Sequence, residues 1–129
     1  TTVEEQYQLI HGAGGMVIYA HPFRSYACTP LSDHYAAYVD GAEGINATHS
    51  CQLSKAHVGP IFDVKAMEYV RRHHLAVTAG SDVHSTAILY GGMAMPRKLK
   101  DIQDFIQVVK GKEDYRLLTG NESIPAVNP

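Results

Sequence analysis

Leu75-Ala-Val-Thr-Ala-Gly-Ser-Asp82-Val-His84 sets a short apolar run directly ahead of a glycine turn that carries a carboxylate and an imidazole two positions apart. Leu75 to Ala79 has the length and composition of a buried strand, and Gly80-Ser81-Asp82 ends it. A second run, Met16-Val-Ile-Tyr-Ala20, hands over to His21-Pro22-Phe23-Arg24 in the same way. Its β-branched members suit a strand buried on both faces, and Pro22 terminates it. Between the two lies Tyr38-Val-Asp-Gly-Ala-Glu-Gly-Ile-Asn46. Gly41 and Gly44 weaken this segment as a strand while leaving room for close backbone approach.

Helical patterns separate these runs. Thr2 and Glu5 have capping-box spacing, with Val3, Tyr7 and Ile10 in helical period and Gly12, Gly14 and Gly15 as a stop. Gly59-Pro60 opens a helix through Arg72, in which Ile61, Val64, Met67 and Val70 are spaced to line one side. Gly92 to Met95 reads as a short strand. Lys98 to Lys110 reads as a helix with Ile102, Phe105, Ile106 and Val109 on its apolar face and Gly111 as its cap. Tyr115 to Leu118 adds a last strand, and the tail from Asn121 reads as irregular. Strands alternating with helices predict an α/β fold, a mostly parallel sheet with helical crossovers. Parallel strands end on one side, where α/β folds carry their sites. His21, Asn46 and the Asp82/His84 pair are therefore expected on one face.

Composition bounds the function. A chain of 129 residues, 45% apolar, suits one domain with its own core. A formal net charge of -2 and a pI near 6.4 give no basic footprint for nucleic acid. Apolar runs of about five residues are far too short to span a bilayer, and no signal peptide opens the chain, so a cytoplasmic location is expected. Cys28 and Cys51 lack metal or redox spacing and read as free thiols. Asn46-Ala47-Thr48 and Asn121-Glu122-Ser123 match the glycosylation pattern, which has no meaning in the cytosol. No dinucleotide fingerprint, phosphate-binding P-loop or nucleophile elbow occurs.

Imidazole and carboxylate donors suit zinc, manganese or iron, and Asp82 and His84 face the same way if the backbone between them stays extended. A plainer reading makes Asp82 the cap of a short helix from Val83 to Leu89 and His84 an ordinary polar residue. His21 is a third candidate ligand, or else a partner for the backbone. Arg24, three residues on, has the guanidinium fork that matches phosphate or carboxylate, and also suits a plain surface role. Of the remaining histidines, most of them expected at the surface, His49 stands out because it lies just beyond Asn46.

Ile10-His-Gly-Ala-Gly-Gly-Met-Val-Ile-Tyr-Ala-His-Pro22, Val39-Asp-Gly-Ala-Glu-Gly-Ile-Asn46 and Val77-Thr-Ala-Gly-Ser-Asp-Val-His-Ser85 resemble, in order, segments of the PHP family of metal-dependent phosphoesterases. This family is related to histidinol phosphatase and to a domain of bacterial DNA polymerases. The resemblance implies a distorted (β/α)7 barrel with two or three divalent metals, which hydrolyses a phosphate ester with a metal-bound hydroxide. By matching position His21, Asp82 and His84 are the implied metal ligands. Arg24 and Asn46 are the candidate substrate-binding residues, and a phosphorylated small molecule or nucleotide is the implied substrate. The family's opening His-x-His strand is missing, only twenty residues precede His21, and a whole barrel needs roughly 200 residues. The expectation is therefore the carboxyl-terminal half of such a barrel, a fragment without the amino-terminal ligands. The alternative is a noncatalytic half-barrel module for binding or assembly. Either way exposed sheet edges favour pairing with the missing half or with a second copy.

Overall fold

Thr2 opens the first helix as the capping-box spacing predicts, its hydroxyl accepting from Glu5 N at 3.1 Å while Glu5 Oε2 accepts from Thr2 N at 2.8 Å. The computed structural model describes residues 1–24, 31–86 and 90–126. The predicted loop around Cys28 to Pro30 lies outside them, as does the end of the alternative helix from Val83 to Leu89.

Helix α1, Val3–Gly12, leads to β1, Ile18–Tyr19. Helix α2, Ser32–Tyr35, and a 3-10 turn, Ala36–Tyr38, precede β2, Gly41–Asn46. Helices α3, Ala47–Ser50, and α4, Pro60–His73, come before β3, Ala76–Gly80. These strands form a parallel sheet in the order β1-β2-β3, with Ile18 opposite Gly41 and Gly41 opposite Ala76. Strand β1 is shorter than the run Met16 to Ala20 and only half-buried, and among the described strands it pairs with β2.

The glycines of β2 are there because the sheet closes tightly on them. A Cβ on Gly41 would lie 2.6 Å from Ala76 O, and one on Gly44 would lie 2.5 Å from Met67 Sδ and 2.6 Å from Val77 Cγ2. The ladder also shifts register between Glu43 and Ile45, so Gly44 sits at an irregularity. Gly41→Ala pushes against the backbone of β3, which has no side-chain freedom with which to yield. It is expected to lower the unfolding free energy by about 1–3 kcal/mol, read from the urea midpoint.

The second half of the chain departs from the expected parallel sheet. Strands β4, Gly92–Ala94, β5, Arg116–Leu118, and β6, Ser123–Pro125, form a separate antiparallel sheet in that order. Strand β6 lies within the tail read as irregular. Its connection to β5 is too short for a crossover and can only return antiparallel. Gly120 takes φ +88° there, Thr119 N donates to Glu122 O at 2.9 Å, and Thr119 Oγ1 accepts from Asn121 N and Glu122 N. Helix α5 covers Ile102–Gln107, starts where Asp101 Oδ1 accepts from Asp104 N, and runs into a π-helical turn, Val108–Lys112, whose backbone leaves helical geometry at Lys110 and Gly111, the latter at φ +90°. Among the described residues the fold is thus mixed α/β, two three-stranded sheets with no closed barrel. No helix among the described residues is long and apolar enough to cross a membrane.

The core lies between the parallel sheet, α4 and the segment from the π-helical turn to β5, with Ala42, Tyr69, Val70, Val77, Val108, Val109 and Leu117 buried. Helix α4 faces it with Asp63, Ala66, Met67, Tyr69 and Val70. Ile61 and Val64, expected on that side, are 54% and 51% exposed. The inner face is rotated because the buried Asp63 and Tyr69 both find acceptors or donors inside, Tyr69 Oη donating to Ser32 O at 2.6 Å. At the amino end of β2, the Asp40 side chain is 4% exposed and accepts from Val17 N at 2.8 Å. Lys110 Nζ approaches it to 2.9 Å and His11 Nε2 to 2.7 Å.

Candidate functional site

Parallel strands deliver their carboxyl ends to one side, and the predicted residues do gather there. Beyond β1 the chain turns at His21, whose φ is +28°. His21 N donates to Glu43 Oε2 at 2.9 Å, and Arg24 N donates to His21 O at 3.2 Å. The turn brings Arg24 back over the strand ends, where Nη2 lies 2.5 Å from Asp82 Oδ2. Both side chains are mostly buried, at 16% and 18% exposure. Burial would raise the Asp82 pKa, but the hydrogen bond and charge of Arg24, helped by the fields of His21 and His84, outweigh it and hold the carboxyl below its usual range.

Asn46 ends β2 and is 1% exposed. Its Oδ1 accepts from Thr48 N at 3.0 Å, capping α3, and its Nδ2 donates to Glu43 Oε2 at 3.1 Å. Its side chain thus builds the face instead of presenting itself to a ligand. Thr48 Oγ1 donates to Ser81 O at 2.8 Å and ties α3 to the end of β3.

Behind Arg24 stands a buried pair. Arg24 Nε donates to His49 Nε2 at 2.8 Å, and His49 Nδ1 lies 2.8 Å from Asp63 Oδ1, with the two side chains 1% and 7% exposed. Asp63 also accepts from Asn46 N at 3.2 Å and from Ser50 Oγ. Burial raises the Asp63 pKa against the opposing influence of His49, the Asn46 N–H and Arg24. An arginine Nε only donates, so His49 Nε2 accepts and the ring proton sits on Nδ1, directed at Asp63.

The predicted metal trio is not assembled. Asp82 takes φ +52°, so the stretch to His84 is not extended as the i, i+2 pairing required. The His84 ring is 82% exposed, its Nδ1 2.8 Å from Asp82 O and 3.8 Å from Asp82 Oδ1. Among the described residues no three His, Cys, Asp or Glu side chains form a group able to hold a metal ion. His21, Asp82 and His84, as arranged, do not fit a metal centre.

Glu43 and Asp63 carry no signal in the sequence, and His49 carries one only in its place just beyond Asn46. Glu43 lies inside a glycine-rich strand three residues before Asn46, a spacing that puts them on opposite faces of a regular strand, and the register shift between Glu43 and Ile45 is what lets it receive Asn46 Nδ2. Asp63 reads as a first-turn helix residue, and only the packing of α4 shows it turned inward. His49, singled out for its place beyond Asn46, is buried and not at the surface. No family model matches the chain, and no curated protein or solved structure matches it.

Proposed function

We propose that this chain forms part of a phosphoester hydrolase of the PHP type, in which the strand-end face receives the phosphoryl group and Arg24 is its anchor. The observation that supports this reading most directly is the meeting of Arg24 and Asp82. They follow the two outer strands of the parallel sheet, β1 and β3, and come to within 2.5 Å, with the Asp82 carboxylate in the place a phosphoryl oxygen would take on the guanidinium. The substrate is a phosphorylated small molecule or nucleotide. Divalent zinc, manganese or iron are the cofactors of this reading. Asp82, His21 and His84 are its donors from this chain, and they need both rearrangement and further donors beyond the described residues. The half-barrel architecture belongs to the same proposal.

Calorimetry with inorganic phosphate tests the anchor. Arg24→Ala is expected to bind about tenfold or more weakly than the unaltered protein, the effect of losing a charge-assisted contact. Equal affinity would return Arg24 to an ordinary ion pair. Metal content by plasma mass spectrometry on protein purified without chelator, beside Asp82→Asn and His84→Ala, tests the cofactors. Metal present in the unaltered protein and lost from both variants supports the ligand assignment. The competing reading, a noncatalytic module for assembly, is favoured by α1, in which no residue is buried. A dimer mass in light scattering, with neither phosphate nor metal bound, would decide for it.

A further inference from the structure

We infer that His49 is a positioning residue, held by Asp63 as the Nδ1–H tautomer so that its Nε2 lone pair fastens Arg24 through Nε and aims the rest of the guanidinium at the strand-end face. The purpose assigned to that aim, recognition of a phosphoryl group, rests on the phosphoesterase reading above; the positioning itself rests on geometry alone.

The chain of contacts runs in one direction. Asp63 Oδ1 accepts at 2.8 Å from His49 Nδ1, and His49 Nε2 accepts at 2.8 Å from Arg24 Nε. Asp63 is itself held by Asn46 N and Ser50 Oγ, so the carboxylate cannot swing away. His49 is 1% exposed, and its ring also meets Phe62 edge-on at 5.3 Å between centroids, which fixes its plane. A flexible arginine would otherwise spread over many rotamers, and ordering it on each binding event costs affinity. With Nε tied down, the Nη side of the fork is turned to the strand ends, where the buried Nη2 meets Asp82. A protonated His49, or one carrying its proton on Nε2, would turn a donor toward a donor and release Arg24.

Two substitutions separate positioning from simple packing. His49→Gln places an amide oxygen near the former Nε2 and keeps an acceptor for Arg24. His49→Asn places its amide near the former Nδ1 and keeps a donor for Asp63, but leaves Arg24 Nε without a partner. The readouts are the ring nitrogen resonances of His49, the exchange rate of Arg24 Hε by nuclear magnetic resonance, and the affinity for inorganic phosphate. We expect the His49 proton on Nδ1, slow Arg24 Hε exchange in the unaltered protein and in His49→Gln, and fast exchange in His49→Asn. Phosphate should bind about tenfold more weakly to His49→Asn and within about twofold of the original to His49→Gln. A proton on Nε2, or Arg24 Hε equally protected in His49→Asn, overturns the inference. The first of these needs no substitution, so a variant that fails to fold does not remove the test. Protected Arg24 Hε with no phosphate binding leaves the positioning intact and removes only the phosphoesterase reading.

Discussion

Asp63→Ala is expected to lower the unfolding free energy by about 3–5 kcal/mol, since it strands several buried donors at once. Asp63 Oδ1 serves Asn46 N and His49 Nδ1, and Oδ2 serves Ser50 Oγ. Asn46 and His49 are almost fully buried, so water cannot replace the carboxylate. Ser50 is less enclosed and can rotate, which limits the loss to the first two. Asp63→Asn is the informative companion. Its amide oxygen can take the place of Oδ1, and its NH2 can donate to a reoriented Ser50 hydroxyl. It also removes the desolvated charge whose burial raises the Asp63 pKa. We therefore expect Asn to cost only about 1 kcal/mol, the scale of one net hydrogen bond. Urea unfolding of both variants checks this. A cost for Asn as large as that for Ala would mean that the negative charge, not the pattern of acceptors, holds the pair together.

Asp40→Ala should come next in size, at about 2–4 kcal/mol, because it removes a buried carboxylate from a backbone donor and two basic side chains. The residue joins β1, through Val17 N, to α1, through His11, and to the π-helical turn, through Lys110. Burial would push its pKa up, but the Val17 N–H, Lys110 and His11 together outweigh burial and hold it below the usual carboxylate range. A depressed folded pKa fixes the sign: the stabilisation is complete above the unfolded value of about 4 and is lost as pH falls through the folded value. The difference in stability between the unaltered protein and Asp40→Ala should accordingly shrink on acidification below about pH 4. A gap that stays constant down to pH 2 would contradict the role given to the ionised carboxylate.

The ends of β1 and β3 were legible because each is written locally, as an apolar run closed by a turn residue, while β2, interrupted by Gly41 and Gly44, carried a weaker signal. His21, Asn46 and Asp82 lie where those runs placed them. The Thr2/Glu5 cap and the Pro60 helix start were legible for the same reason. What escaped was everything decided by tertiary geometry. The direction of β5 and β6 depends on a short turn at Gly120. The inward face of α4 depends on where Asp63 and Tyr69 find partners. The pairs Arg24 with Asp82 and His49 with Asp63 join residues from different elements, and no periodicity records such a meeting. The i, i+2 argument for Asp82 and His84 assumed extended backbone, and the left-handed turn at Asp82 removes that assumption.

That left-handed turn has a further meaning. His21 and Asp82 both hold positive φ without being glycine, in a region where a Cβ crowds the neighbouring carbonyl. Glycine at either position would relieve strain of about 1 kcal/mol or more, and the carboxylate that meets Arg24 would be gone from one of them. Keeping Asp82 there trades backbone ease for the carboxylate that meets Arg24, the same left-handed strain that His74 accepts where α4 ends.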